Sequence, residues 1–575
     1  MLFLRINYIF AVMLNHIKKS NKIMSIAKLV ILALILSSCG LNKMVNQYDN
    51  VGYNVSPIAL EVHGGEVKLE LDATFPEKYF HKGATVEITP VLIDEQGNET
   101  KFKSITIQGE EATGGESTIF YETGGGFSYS DKIEYSDEMM VSTLELRAKA
   151  FLKDEVEELG SVTIAKGVIS TSERVDDNES IAIANHGYEL ETILSKTATI
   201  YFLVNQSNIR TSEKSDDDVK RLQQFAENGY VTKSFEIISY ASPEGSVSVN
   251  DNISGKRNKS TLKYSQYLLN KLNVDGSKNN DLYKISSIGE DWNGFYKLVG
   301  SSNIKDKKII NKIVKSNKTA EEKEQAIRDM AEVYDAVDEN ILPFLRKAEI
   351  TINSYEPKKT REEIVLLSTT NPAELSVDEL LYSANLEENS SNILIILNSV
   401  VSLHNDWRAY NNIAVSYLNN GDEVNALIYL NKSKENGGAN ESAVLTNLGI
   451  IASWNGELNK AQKLFDKANT NSTNQAILDI RQGNYRSATG ILRGNSYNAA
   501  LASILNGNNN STCNEETAAC YYLNAIAGSR AGNETMLFTN LEKAIQNSEV
   551  YKVEALKDLE FVNYRNNEKF ISLTK

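Results

Sequence analysis

The sequence predicts a multidomain chain: an N-terminal β-sandwich, a central α/β domain and a C-terminal all-α solenoid. Three observations carry this. Between residues 56 and 190, apolar and polar residues alternate with period two in short runs. Between 195 and 356, such runs trade places with helical segments. From 376 onward, glycine and alanine recur in pairs at a fixed interval. A period of two marks a half-buried strand, and a period of tens of residues marks stacked helical units. The 575 residues, 41% apolar and 24% charged, suffice for several ordinary cores rather than a disordered or fibrous protein. The formal net charge of −16 leaves nothing to neutralise a phosphate backbone, so nucleic acid is not an expected partner.

Residues 1–38 read as a lipoprotein signal peptide, outside the fold. Lys18, Lys19, Lys22 and Lys28 precede "LVILALILSSCG", with Met24 a plausible true start, and the apolar run from Leu29 to Leu36 is far shorter than the roughly 20 residues needed to span a bilayer. The run closes on Leu36-Ser37-Ser38-Cys39, which resembles a bacterial lipobox. In that family the peptidase cuts before a cysteine whose thiol carries a diacylglycerol, so the resemblance implies lipidation of Cys39; the other reading is a plain secretory signal with a chance cysteine. Acyl chains contribute about 0.8 kcal/mol per buried methylene, and two or three hold a soluble body at a membrane. Residues 39–55 then read as a linker. Acidic residues soon after the cysteine often mark surface export in lipoproteins of Bacteroidetes type, and none precedes Asp49 here. The resemblance therefore implies a lipid anchor in the outer membrane, facing the periplasm.

Besides Cys39 the chain has only Cys513 and Cys520, in a compartment where a disulfide persists. On one straight helix they would stand about 10 Å apart, beyond bridging distance. A bond requires one of them in a loop, which "NGNNNSTC" offers to Cys513; the other reading is two thiols packed as small apolar groups. His16, His63, His81, His186 and His404 are scattered without ligand spacing, so neither metal nor cofactor is expected.

In the β region, "EVKLEL", "ATVEITPVLI", "KSITIQ", "STLELRAKAFL" and "GSVTIAKGVI" alternate, and "DEQGNET" is a hairpin loop. Short strands with polar turns predict an antiparallel sandwich. "EEATGGESTIFYETGGGFSYSD" reads as a Gly- and Ser-rich loop, and its "GGGFS" lacks the Lys-Ser/Thr pair and helix of a phosphate loop. This region carries no chemistry and reads as a spacer or docking module.

The central segment alternates strand and helix. "TATIYFLVNQSNI" is a strand, "SDDDVKRLQQFAENG" a helix with acids at its N-terminus and a Gly stop, and "SFEIISYA" a second strand. A loop, "SPEGSVSVNDNI", leads to a helix with Ser254 as N-cap and Tyr264, Tyr267, Leu268 and Leu272 at helical spacing. "YKISSIG", a long helical span from about Thr319 and the alternating "RKAEITIN" complete the β-α-β-α-β-α-β order, which predicts a sheet with helices on one face. Gly245, Asn250, Ile253-Ser254 and Arg257, with "RKAEITI" as the closing strand, resemble the OmpA-like, peptidoglycan-associated domain over residues 195–356. In that family a loop Asp and a helix Arg grip diaminopimelate, the aspartate on its ammonium and backbone, the guanidinium on a carboxylate through a fork that lysine lacks. The resemblance implies Asn250 and Arg257 as peptidoglycan-binding candidates. Here Ser242 stands in place of the Asp, and Glu244 is the substitute carboxylate; "ASPEG" with "GEDWNGFYKLV" places the chain in a divergent Bacteroidetes-type branch. The bland reading of Arg257 is a surface arginine paired with Asp251 or Glu244.

In residues 376–575, Gly421 to Ala426, Gly456 to Ala461 and Gly483 to Ala488 each span five residues, and Gly421 to Gly456 is a step of 35. "YNNIAVSYLNNGDEVNALIYLNKS" and "LTNLGIIASWNGELNKAQKLFDKA" resemble the tetratricopeptide repeat, which implies two antiparallel helices per unit stacked into a solenoid. Ala414, Gly449, Ala426 and Ala461 fall where helices cross closely, and Tyr417, Leu430 and Phe465 fill the space between units. A shortened third unit, a fourth at "YYLNAIAGSRAGNETMLFTNLEKAIQ" and a capping helix at "VEALKDLEFVNY" follow. The resemblance implies peptide or protein partners along the concave face. Asn411, Asn412 and Asn447 are candidates to hold a ligand backbone, or are solvated polar positions.

No nucleophile elbow, phosphate loop or histidine cluster is present, and Glu290-Asp291 lie beside Trp292 in what reads as a turn, so an enzyme is not expected. The chain reads as a scaffold lipoprotein that tethers the outer membrane to peptidoglycan and recruits envelope proteins through its repeats. The alternative is an accessory subunit of a secretion or surface-fibre assembly whose OmpA-like domain has lost cell-wall binding.

Overall fold

A computed structural model describes residues 39–575, with side chains from Leu41 onward. The expected signal peptide and the Cys39 side chain, with its expected lipidation, lie outside the described residues. The chain forms two compact units. One joins the N-terminal β-rich region, up to Asn185, to the C-terminal helical region Val400–Lys575; the other is His186–Ser399, inserted between them in sequence. This differs from the expected division into three successive domains, and the reason lies in residues 171–185, described below.

The first unit opens with helix Cys39–Asn46. Leu41 and Met44 are buried and Tyr79 donates to the Met44 carbonyl at 3.0 Å, so the stretch read as a linker packs into the core from its first turn. Eleven strands follow in two sheets. One contains β1 (Gly52–Ser56), β2 (Leu60–His63), β3 (Glu66–Phe75), β8 (Gly125–Glu134) and β11 (Val168–Ile169). The other contains β4 (Thr85–Asp94), β5 (Glu99–Lys101), β6 (Ile105–Gly109), β7 (Ser117–Ile119), β9 (Ser142–Leu152) and β10 (Glu155–Lys166). Alternation explains the shared core: Val67, Leu69 and Leu71 of β3 and Leu144, Leu146 and Ala148 of β9 all point inward into one cluster. The segment read as a Gly-rich loop holds β7 and β8, and β8 pairs antiparallel with β3 along its whole length. Its glycines obscured the pattern, yet they are needed there: a Cβ on Gly126 would meet the Ala73 carbonyl oxygen at 2.4 Å.

The helical region stacks pairs, beginning with Trp407–Leu418 and Glu423–Glu435, then Ser442–Trp454 and Leu458–Ala468, then Ser472–Arg481 and Tyr485–Ile491. Tyr497–Leu505, unforeseen from the sequence, precedes the pair Ala518–Arg530 and Glu534–Asn547. Ala414, Ala426, Gly449 and Ala461 are all buried at helix contacts; a Cβ on Gly449 would come within 2.4 Å of the Phe465 ring. Cys513 lies in a loop, 5.5 Å from Cys520 between Cα atoms, and the two are disulfide-bonded.

The second unit is built on a four-stranded sheet in the order β12 (Ile193–Tyr201), β15 (Lys347–Tyr355), β13 (Thr232–Ala241), β14 (Tyr283–Glu290), with β13 and β14 parallel and the other pairs antiparallel. Helices Asp217–Ala226 and Val247–Lys271 cover it, burying Leu222, Leu268 and Leu269 against Ile200, Phe235 and Ile350. The second of these helices starts at Val247 with Ser246 as N-cap, so Ser254 is not the cap. It lies inside the helix, buried, bonded to the Asp251 carbonyl and to Ser287. Between β14 and β15 stand five short helices: Trp292–Ser301 and Lys307–Val314, then Ala320–Arg328, Ala331–Asn340 and Leu342–Leu345 in place of the long helical span expected from about Thr319; the five share a core of their own, including Phe295, Ile310, Val337 and Leu345. Thr319 caps one of them through a reciprocal bond with Glu322. Asp291, read as part of a turn, caps the first by accepting from the Gly294 N–H.

Candidate functional site

The loop after β13 and the helix from Val247 bring Ser242, Glu244, Asn250 and Arg257 together in the second unit. Arg257 is 2% exposed and therefore not a surface arginine paired with Asp251 or Glu244. Its guanidinium donates to three backbone carbonyls: Nε to Gln206 at 3.1 Å, Nη1 to Tyr240 at 2.9 Å and Nη2 to Leu203 at 3.2 Å. It also lies over the Phe202 ring at 5.3 Å. Burial, then the neighbouring Arg346 guanidinium, brings its pKa down to about 10, so it stays charged at neutral pH.

Glu244 accepts a forked pair of bonds from Arg346, Nε to Oε1 at 2.8 Å and Nη2 to Oε2 at 3.1 Å, and a third from Ser242 Oγ at 2.7 Å. Burial pushes its carboxyl up, but these bonds outweigh it and hold the pKa below the ordinary range. Asn250 donates to the Glu244 carbonyl at 3.0 Å and to Glu290 at 2.8 Å, and Glu290 also accepts from the Trp292 indole. Glu324, from the helical insertion, accepts from the Gly245 N–H at 2.7 Å. Ser242, Glu244 and Asn250 thus join in a network with Arg346 and Glu290, while Arg257 spends its donors on backbone carbonyls outside that network. Arg346 was the residue sequence reasoning missed, and its place at the mouth of the closing strand was the available signal.

In the first unit, Asn411, Asn412 and Asn447 do hold a backbone, and it belongs to the chain itself. Residues 174–185 run without helix or strand along the first helices of successive pairs. Asn412 accepts from the Ala184 N–H at 2.8 Å and donates to its carbonyl at 3.1 Å. Asn447 does the same for Ala182, with both bonds at 2.8 Å. Asn474 grips Ser180 at 2.7 and 3.1 Å, and Asn498 grips Asp176 at 3.0 and 2.8 Å. Asn411 adds a bond to the Ala182 carbonyl at 3.1 Å. An amide side chain offers one acceptor and two donors, which is the complement of a residue's own N–H and C=O. Asn412 and Asn447 keep the repeat step and were legible; Asn474 and Asn498 fall in shortened units and were not.

Side chains anchor this strap at its N-terminal end. Thr171 donates to Glu560 at 2.5 Å, Ser172 to the Val62 carbonyl at 2.7 Å, and Arg174 pairs with Glu554 at 2.6 Å and Asp558 at 3.1 Å. Beside it the tip between β2 and β3 meets the turn at Gln482 and Gly483. Gly64, at φ +66°, has no room for a Cβ, which would lie 2.9 Å from the Gln482 carbonyl oxygen. His63 Nδ1 and the Tyr485 hydroxyl are 2.8 Å apart. These contacts are why the β-rich and helical regions form one unit.

Among the described residues, no group of three or more His, Cys, Asp or Glu could hold a metal ion, and no helix is long and apolar enough to cross a membrane. No protein-family model matches the chain, and no curated protein matches it in sequence.

Proposed function

We propose that this chain is a lipid-anchored assembly subunit of a bacterial cell envelope. In this reading a domain of OmpA-like descent serves protein contacts and not cell-wall binding, and tetratricopeptide-like repeats give the body its rigidity. The observation that carries it is the occupation of the two groups a diaminopimelate ligand would need. Arg257 donates to the carbonyls of Leu203, Gln206 and Tyr240, and Glu244 is clamped by Arg346. A buried guanidinium that already donates to three carbonyls gives these charge-assisted bonds up only at a cost in stability. The helix that starts at Cys39 supports a body set close to its anchor, since Leu41 and Met44 already belong to the core. The chain acts by holding partners, not by catalysis.

The test is sedimentation of the soluble body, residues 40–575, with isolated peptidoglycan, wild type beside Arg257→Lys. Both are expected to remain in the supernatant. Pelleting of the wild type that Arg257→Lys abolishes would return Arg257 to a ligand role and make the protein a wall tether.

A further inference from the structure

The groove along the helix pairs holds its occupant in an unusual way. Asp176, Ser180, Ala182 and Ala184 are each gripped through their own N–H and C=O, groups that any extended peptide presents. Side chains between them add to the hold: Asn178 accepts from Asn498 at 2.9 Å, and the buried Glu179 accepts from the Trp454 indole at 2.9 Å. Ile181 packs between two pairs of helices, whereas Ile183 is 60% exposed. Arg481 pairs with Asp177 and stands 3.8 Å from Glu179. The fit is imperfect at that point: Glu179 Oε1 and Arg481 Nε are both buried without a hydrogen-bond partner. The strap belongs to no sheet or helix, so its release from the groove breaks no other ladder.

We propose that the asparagine groove is a binding site for extended peptides, and that residues 176–184 are its resident, displaceable occupant. The partner it fits is an extended acidic peptide that places a carboxylate opposite Arg481 and small residues at alternate positions beyond it, the pattern of "DDNESIAIA". The inference rests on the scaffold reading only for the existence of such a partner.

The test uses the whole soluble body and a fluorescent peptide of residues 174–185. The double substitution Ala182→Pro and Ala184→Pro removes two N–H donors from the strap and leaves every asparagine in place. This variant is expected to bind the peptide at least about tenfold more tightly than wild type, and addition of Asn447→Leu is expected to abolish the gain. A folded double-proline variant that binds no better than wild type overturns the proposal. Amide exchange on the wild type tests release without any variant: the gripped N–H groups of Ser180, Ala182 and Ala184 are expected to exchange at least about tenfold faster than helix Ser442–Trp454. Exchange of both together, only through opening of the whole unit, overturns it. Pelleting with peptidoglycan would refute the wall-free reading and leave peptide binding intact, so the two failures are distinct.

Discussion

Arg257 in the second unit and the asparagine ladder in the first are both buried polar groups that grip the backbone of their own chain, but they grip different kinds of backbone. Of the carbonyls under Arg257, that of Tyr240 belongs to β13, and those of Leu203 and Gln206 to the exposed turn just past β12, so the guanidinium ties that turn to a strand of the sheet. The residues under the asparagines belong to a segment with no secondary structure. One arrangement fastens a turn to a strand of the sheet; the other, on the proposal above, is a contact that local opening reverses. Identical hydrogen-bond chemistry therefore acts as structure in one place and, on that proposal, as recognition in the other.

Arg257→Ala tests the first half of this contrast and has the largest expected effect. Three charge-assisted bonds disappear and a cavity is left at a buried helix position, so the second unit is expected to lose about 4 kcal/mol, read from its guanidinium unfolding curve. Asn447→Leu tests the other half. It strands the N–H of Ala182, leaves its C=O to Asn411 alone and removes one bond to Asn411, a loss of about 2 kcal/mol from strap docking. Fast exchange confined to residues 176–184 is the expected readout; global unfolding of the first unit would erase the contrast. Gly449→Ala sharpens it by straining the helix pairs without touching the strap. The new methyl meets the Phe465 ring, and about 2 kcal/mol of overpacking is expected in thermal unfolding, with exchange at residues 176–184 unchanged relative to the unit.

The smallest effect is that of pH on the second unit. Because Glu244 has its pKa lowered on folding, its contribution is complete above the ordinary carboxylate value of about 4.3 and fades as pH falls through the lower folded value. Urea midpoints measured at decreasing pH are expected to fall in that window, and Glu244→Gln is expected to flatten the fall.

How far the sequence could be read depended on whether a signal was local. Alternation in β3 and β9, the repeat step of the first two helix pairs and the order of the central strands all lie within short windows, and each element formed where expected. The strand β8 did not announce itself because Gly125 and Gly126 replace the side chains that would have shown its period. The start of the Arg257 helix was misplaced because Ser246, Ser248 and Ser254 are all acceptable caps, and only tertiary contacts choose among them. In the candidate site, the residues were legible and their partners were not. Nothing near Arg257 in sequence points to Leu203, and nothing near Asn498 points to Asp176, because those pairings are made by the folded backbone alone.

The separation of the strap from its groove has a consequence for biosynthesis. Asn412 stands 228 residues after Ala184, and Asn498 stands 322 after Asp176. The strap therefore leaves the ribosome long before any asparagine that will hold it, and the contiguous unit His186–Ser399 is complete in the interval. Closure of the first unit has to await the last stretch of the chain, as slow, long-range pairings do. A premature stop anywhere in the helix pairs would then do more than trim a C-terminal module: it would leave an N-terminal segment, already made, with nothing to lie against.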